Sequence, residues 1–256
     1  MKILAILQAR MSSSRLPGKI LKPILGKPML TLQIERVLRA RCIDSLIVAT
    51  STDPSDNPVE ELCQDLGVEC FRGSLDNVLD RYFQAAKHYK AQNLVRLTGD
   101  CPLADPDVID EAIQYFLDHD FDYVTNGGDE PTFPDGLDVE VLKFSALKAA
   151  WENATQPSDI EHVTPYITKQ PEEFKLGVFK GHPDRSHMRW TVDAPRDFEF
   201  VYRVYQELYP VNPQFGTDDI LDLLQRKPEI GQINSDIERN EGLKKSLAID
   251  KGSNKP

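Results

Sequence analysis

The sequence lacks the features of several large classes of protein. No apolar run in its 256 residues approaches the roughly 18 residues that a membrane-spanning helix requires. The chain opens directly on an apolar run, without the charged and then apolar leader of a secreted protein, and we therefore expect a cytoplasmic location. Its formal net charge is −11, whereas binding to a nucleic-acid backbone needs a basic surface. The composition argues against both membrane and nucleic-acid partners.

Cysteine is also scarce. The four cysteines, Cys42, Cys63, Cys70 and Cys101, do not have the paired spacing of zinc ligands. Cys101 follows Asp100 directly, but we expect an ordinary buried thiol there rather than a catalytic one. The cysteines therefore indicate neither a zinc site nor a disulfide framework.

What the chain does contain is a basic loop directly after its first apolar run. Residues 4–7 predict a buried strand, and the loop that follows holds Arg10, Arg15 and Lys19. It also holds three consecutive serines, and Gly18 lets the backbone approach a ligand closely. Cations and backbone amides at the carboxyl end of a first strand form a cradle for anions. We interpret the loop as a binding site for a nucleoside triphosphate, although its spacing matches neither GxxxxGKS/T nor GxGxxG.

Apolar segments and helical patterns alternate through the first half of the chain. Strands are predicted at residues 45–50, 68–71 and 93–98, with helices between them. This order predicts right-handed crossovers and a doubly wound, mainly parallel sheet of the α/β class. We expect one domain over residues 1–245, followed by a tail over 246–256 that frays.

The alternation lapses between residues 121 and 180. Within this stretch the patterns predict strands at 137–142 and 175–180 and helices near 145–153 and 158–169. We interpret it as an inserted α+β lobe that contributes to the binding site and to a dimer contact. The chain is then expected to rejoin the sheet at 188–192.

Two aspartates follow predicted strands. Asp100 lies just after the strand at 93–98, and Asp193 follows 188–192. Because α/β sheets place their chemistry at the carboxyl ends of strands, we expect both carboxylates to face one site. Asp105 precedes Pro106 and is instead expected to cap a helix.

The motif A-R-x-x-S-x-R-L-P-G-K at residues 9–19 resembles the cytidylyltransferases that activate acidic sugars. These include acylneuraminate and ketodeoxyoctonate synthetases, and the chain is most similar to the spore coat polysaccharide biosynthesis protein F group. The likeness extends over roughly residues 2–225 and includes R-G-S-L-D-N-V-L-D-R-Y, G-D-C-P, P-D-G-L-D-V-E-V, E-H-V-T-P-Y and D-A-P-R-D-F. The resemblance implies a Rossmann-like nucleotidyltransferase fold, transfer of CMP from CTP to an acidic sugar with release of pyrophosphate, and a homodimer.

The resemblance also implies roles for individual residues. The nucleotide would contact Ala9, Arg10, Ser14, Arg15, Lys19 and Arg72, the last near the base or ribose. The catalytic residues would be Arg15, Lys19, Asp100 and Asp193, the two aspartates holding Mg²⁺, which needs only one or two carboxylates. The sugar would contact Asp138, Glu140, Glu161 and His162, for which surface acidity and a structural histidine are alternatives. The number of metal ions and the general base stay open, the base being Asp193 or a metal-bound water.

Three other hypotheses are compatible with parts of the pattern. A nucleotidyltransferase could use another base, and a catalytically silent protein could bind a nucleotide without turning it over. A glycosyltransferase of similar architecture would carry a D-x-D motif after a strand. The candidates here, Asp118-His-Asp120 and Asp120-Phe-Asp122, precede or open a predicted strand instead.

Overall fold

The computed structural model describes residues 2–13, 15–239 and 250. Its central sheet has seven strands, in the spatial order β5 (Glu69–Gly73), β4 (Ser45–Ser51), β1 (Ile3–Gln8), β6 (Asn93–Thr98), β8 (Glu140–Lys143), β7 (Tyr123–Thr125) and β9 (Leu176–Val178). Only β8 among these strands runs antiparallel to its neighbours. Two short strands, β2 (Pro23–Ile24) and β3 (Lys27–Pro28), form a separate hairpin. The predicted α/β fold with a mainly parallel sheet is confirmed.

Helices cover both faces of this sheet. They are α1 (Met29–Val37), α2 (Asn57–Leu66), α3 (Val78–His88), α4 (Pro106–His119), α5 (Phe144–Asn153), α6 (Pro157–His162), α7 (Pro165–Thr168), α8 (Pro195–Leu208), α9 (Thr217–Arg226) and α10 (Pro228–Gly231). Alternate residues of β1 point to opposite faces. Ala5 and Leu7 pack in the apolar cluster of α1, α4 and α8, whereas Leu4 and Ile6 pack in that of α3 and α5. None of the helices that the structure describes is long and apolar enough to cross a membrane.

Two helix starts hold the chain where it crosses the carboxyl edge of the sheet. Asp105 caps α4, because its side chain accepts a hydrogen bond from the Asp107 backbone at 2.9 Å and Pro106 occupies the first helical position. This confirms the predicted cap. At α8, the Asp197 side chain accepts from the Ala194 backbone at 2.8 Å, which fixes the turn that contains Asp193.

The strand predicted at 188–192 is wrong. The position beside β6 is already occupied by β8, so this segment cannot pair there. It instead crosses the carboxyl edge, where the Val192 amide donates to the Asp100 carbonyl at 2.8 Å and the Thr191 amide to the Asp135 carbonyl at 2.8 Å. Asp193 therefore follows an irregular segment and not a strand.

The segment predicted as an inserted lobe contributes β7, β8 and β9 to the central sheet, and the domain bounds stay predictions. The strand predicted at 137–142 begins later, at Glu140 of β8, because the Asn126 side chain donates to the Leu137 carbonyl and accepts from the Val139 amide, both at 2.7 Å. The single helix expected at 158–169 is two, separated at Val163, whose φ is 73°. Of the tail expected to fray, all but Asp250 lies outside the described residues.

Candidate active site

The basic loop after β1 is anchored at both ends. Near its start, the Met11 amide donates to the Asp56 carboxylate at 2.6 Å, and Asp56 is fully buried. Near its end, the Gly18 amide donates back to the Met11 carbonyl at 3.0 Å. Gly18 has a φ of 68°, which favours glycine, and the 3-10 turn that follows carries Lys19 into the interior. The loop is a closed, supported turn at the carboxyl end of β1.

Lys19 joins the two predicted aspartates. Its Nζ lies 3.0 Å from Asp193 Oδ1 and 3.3 Å from Asp100 Oδ2, and it donates to the Val192 carbonyl at 2.6 Å. Burial disfavours the charged ammonium, but the two carboxylates outweigh it and raise the pKa of Lys19. The contact with Lys19 also favours the ionised form of Asp100. Burial alone would raise the pKa of Asp100, but Lys19 and the Thr98 hydroxyl outweigh it and lower that pKa.

Asp193 is contacted by three cations. Besides Lys19, its Oδ2 lies 3.1 Å from Arg15 Nη2 and 3.2 Å from Arg189 Nη2. Arg15 comes from the basic loop, whereas Arg189 comes from the segment that crosses the sheet edge. The structure therefore brings together the four residues predicted as catalytic, Arg15, Lys19, Asp100 and Asp193, although they lie up to 178 positions apart in the sequence.

A cleft of about 310 Å³ opens on this cluster. It is lined by the predicted residues Ala9, Arg10, Arg15, Lys19, Asp100, Glu161, His162 and Asp193. A larger cavity of about 580 Å³ lies between the starts of α4 and α9 and contains no residue predicted to act. Its lining includes Asp105, Asp107 and Asp218, which repel phosphate, so the smaller cleft with its cations is the better site for an anion.

Comparison with known proteins identifies the family. The model of the family described as "Cytidylyltransferase" matches residues 4–213. The chain belongs to the cytidylyltransferase family. As a member of this family, the chain is a CTP-dependent nucleotidyltransferase, and the basic loop after β1 is consistent with that activity.

Two relatives of this chain span about nine tenths of it, and a third spans about half. An uncharacterized protein of Methanocaldococcus jannaschii is 39% identical over 241 residues, 93% of this chain and 96% of that protein. Spore coat polysaccharide biosynthesis protein SpsF of Bacillus subtilis is 33% identical over 237 residues, 89% and 95% of the two chains. The 3-deoxy-manno-octulosonate cytidylyltransferase of Trichlorobacter lovleyi is 37% identical over 119 residues, 46% of each. A solved cytidylyltransferase from Leptospira borgpetersenii has a TM-score of 0.87 at 32% identity, covering 93% of this chain and all of that one.

Of the nucleotide contacts predicted for this cytidylyltransferase, one is not found in the cleft and one cannot be located among the described residues. Arg72 is not among the lining residues; its guanidinium donates to the Ser51 and Asp53 carbonyls at 2.9 and 3.0 Å and lies 2.7 Å from Glu60. These contacts hold β5 to the end of β4, and the predicted position beside the base gains no support. Ser14 lies outside the described residues.

Two residues predicted to contact the sugar, Asp138 and Glu140, instead contact other groups of the protein. Asp138 accepts from the Gly136 amide at 2.8 Å and lies 2.5 Å from Arg239. Glu140 forms a tight ion pair with Arg96 and accepts from the hydroxyls of Tyr123 and Thr164 at 2.5 and 2.6 Å. Neither carboxylate lines the cleft, although Arg96 does. Glu140 therefore acts on the cleft from behind its lining, through its ion pair with Arg96 and its charge near His162.

Sequence reasoning missed several residues of this site. Asp56 lies in a turn-rich stretch with no signal for a loop 45 residues away, and Arg189 stands out only by preceding W-T-V-D. Arg81 is fully buried; its Nη1 donates to the Ser74 carbonyl at 2.6 Å, and its Nε and Nη2 have no hydrogen-bond partner among the described residues. Burial lowers the pKa of Arg81, and nearby Arg10 lowers it further.

The carboxylates suit a magnesium ion that keeps most of its waters. Lys19 contacts both Asp100 and Asp193, so one small cation can reach both carboxylates. In the part of the chain that the structure describes, no group of three or more His, Cys, Asp and Glu side chains is arranged to hold a metal. Mg²⁺ needs only one or two carboxylates when phosphates supply further oxygens, and the two aspartates fit it.

Proposed function

We propose that this cytidylyltransferase transfers CMP from CTP to a hydroxyl of an acidic sugar of the ulosonic or nonulosonic type. The observation that carries the proposal is the convergence of Arg15, Lys19, Asp100 and Asp193 in one cleft at the carboxyl edge of the sheet. The names of two relatives, a spore coat polysaccharide protein and a 3-deoxy-manno-octulosonate cytidylyltransferase, support the substrate class.

In the reaction, the sugar oxygen forms a bond to the α-phosphorus as the bond to the bridging oxygen breaks. Pyrophosphate leaves with the electron pair, and the hydroxyl proton passes to a base, for which Asp193 is one candidate. Such chemistry depends on positioning and on charge neutralisation. The triphosphate would draw Arg15 and Lys19 from their carboxylates, and both cations would stabilise the charge that grows on pyrophosphate.

The same exchange prepares the carboxylates for a cation. Once Lys19 turns to phosphate, Asp100 and Asp193 would hold Mg²⁺, which would supply neutralisation of phosphate charge. Arg10 lines the cleft and makes no ion pair with a described residue, which leaves its guanidinium able to reach the nucleotide.

The remaining wall of the cleft suits an acidic sugar. Arg96 supplies a positive charge there, and Glu161 and His162 supply polar groups. Burial lowers the pKa of His162, so its ring is neutral at neutral pH and can exchange hydrogen bonds with sugar hydroxyls.

The test is pyrophosphate release from CTP, UTP, ATP or GTP with a panel of ulosonic acids, nonulosonic acids and neutral sugars. We expect release with CTP and at least one acidic sugar, none with neutral sugars, and release slowed on the order of a thousandfold in the Asp100→Asn variant. Preference for another nucleotide would favour the alternative base. If no combination of nucleotide and sugar released pyrophosphate, the result would support the alternative of a catalytically silent protein that binds a nucleotide.

A further inference from the structure

A segment outside the part of the chain that the family model matches reaches the back of the cleft. The model ends at residue 213, whereas residues 234–239, here named the C-terminal strap, follow α10. Asn234 is buried, and its Nδ2 donates to the Arg189 carbonyl at 3.0 Å and to Asp197 Oδ1 at 2.9 Å. Arg239 donates to the Phe133 carbonyl at 3.1 Å and contacts Asp138. The strap is thus attached at both of its ends.

Arg189 connects the strap to Asp193. Its Nη2 lies 3.2 Å from Asp193 Oδ2, and its Nε and Nη2 lie 2.9 and 3.0 Å from the two oxygens of Asp197. Its Nη1 lies 2.7 Å from Asp135 and donates to the Glu238 carbonyl at 3.3 Å. The guanidinium is therefore held by three carboxylates and by the strap, which determines the direction from which it contacts Asp193.

Arg239 balances charge in this cluster. Asp135 and Asp138 lie close together, and burial together with Asp138 raises the pKa of Asp135 to about 7. Arg239 contacts Asp138 directly and lies 3.7 Å from Asp135. If Arg239 were removed, the pKa of Asp135 would rise further and Arg189 would be the remaining cation facing it among the described contacts, which would change how the Arg189 guanidinium is held between Asp135 and Asp193.

We propose that the C-terminal strap is a positioning element for the reaction: through Arg189 it orients the Asp193 carboxylate. The proposal rests on the proposed function, in which Asp193 acts at the α-phosphate. None of residues 234–239 is among the residues that line the cleft, so we expect the strap to affect turnover more than CTP binding. A shift of about 1 Å in a reacting group can cost roughly a hundredfold in rate.

The test compares Arg239→Met and Asn234→Ala with Asp236→Asn. Asp236 belongs to the same strap, but its side chain pairs with the exposed Arg196 and not with Arg189. At a temperature where each variant is folded, we expect Arg239→Met to lower kcat roughly 10- to 100-fold and to change KM for CTP less than about threefold. Arg239→Lys, which can restore one of the two carboxylate contacts, should recover part of the loss, and Asp236→Asn should match the parent.

A second readout does not depend on turnover. The amides of Asp193 and Ala194 both donate to Asp197 Oδ2, at 3.0 and 2.8 Å, and the strap supports Asp197 through Asn234. Asn234→Ala should speed hydrogen exchange at these two amides, whereas Asp236→Asn should not. Unchanged exchange, or parental kcat in both Arg239→Met and Asn234→Ala, would overturn the proposal. If the parent released no pyrophosphate, the proposed function would fail and the exchange result would still decide the role of the strap.

Discussion

At the scale of single residues, motif position located the centre of the site but did not reveal what each side chain contacts. Lys19 and Asp100 could be predicted because each follows a strand of a parallel sheet, and strand ends meet at one edge. The contacts of Glu140 could not be predicted, because an alternation with a period of two residues indicates on which face of the sheet a side chain lies. It does not indicate which charged group the side chain contacts there. Its partner Arg96 lies 44 positions away on β6.

Glu140 is expected to act mainly on stability. Burial disfavours the charged carboxylate, but Arg96 and three hydrogen bonds outweigh it and lower the pKa of Glu140. Glu140→Gln would leave Arg96 without its counter-charge at a cost of about 3 kcal/mol, which corresponds to a Tm lower by roughly 6–12 °C.

The matched control is Glu152→Gln, which breaks the exposed ion pair with Lys148 on α5 and should leave Tm nearly unchanged. Because the pKa of Glu140 is lowered on folding, its contribution is present above the ordinary carboxyl pKa and is lost as the pH falls through the folded-state value. A parental Tm with a raised KM for the sugar would instead support the sugar contact inferred from sequence.

At the scale of elements, the composition of a loop could be recognised while its anchor could not. The cations, serines and Gly18 of residues 9–19 indicated an anion site. The Asp56 carboxylate that holds the loop comes from another βα connection, and no pattern in the sequence around the loop predicts that contact. The strand predicted at 188–192 failed for the same reason, since strand propensity does not report whether the position beside a given strand, here β6, is already occupied.

Asp56→Asn should loosen the basic loop. The carboxylate accepts from the Met11 amide at 2.6 Å and from the Ser51 amide and hydroxyl at 3.2 and 2.5 Å, whereas an amide side chain can accept on one oxygen only. We expect KM for CTP to rise roughly tenfold and the protein to lose about 2 kcal/mol of stability.

Asp53→Asn, an exposed change that keeps one acceptor at the same turn, is the control and should behave as the parent. Steady-state kinetics with varied CTP and thermal melts measure both effects. Equal KM values in the two variants would show that Asp56 does not position the loop.

At the scale of the whole molecule, the β-α alternation predicted the parallel half of the sheet. It could not predict that β8 would run antiparallel between β6 and β7, because no pattern within four residues encodes strand direction. The homodimer through residues 121–180 stays a prediction. The strand β9 lies at the sheet edge within that stretch, and its Val178 is 45% exposed.

We expect Val178→Lys to weaken the dimer, because a charge on an edge strand opposes pairing with another chain. Val211→Lys is the matched control: Val211 is 86% exposed and lies outside the stretch. Light scattering at micromolar concentration should give a dimer for the parent and for Val211→Lys, and a smaller mean mass for Val178→Lys. A monomeric parent would contradict the prediction.

The central claim is that Asp100 and Asp193 act together on the triphosphate. Asn keeps the shape of each side chain and removes its charge. Charge neutralisation at a transferring phosphate contributes several kcal/mol, so each single variant should lose on the order of a thousandfold in kcat.

The most direct test is kcat for pyrophosphate release by Asp100→Asn, Asp193→Asn and the double variant at saturating Mg²⁺, with Tm recorded for each. The account predicts similar large losses in the single variants, little further loss in the double variant, and Tm values that show all three to be folded. Near-parental kcat in Asp193→Asn, or single losses that multiply in the double variant, would contradict it.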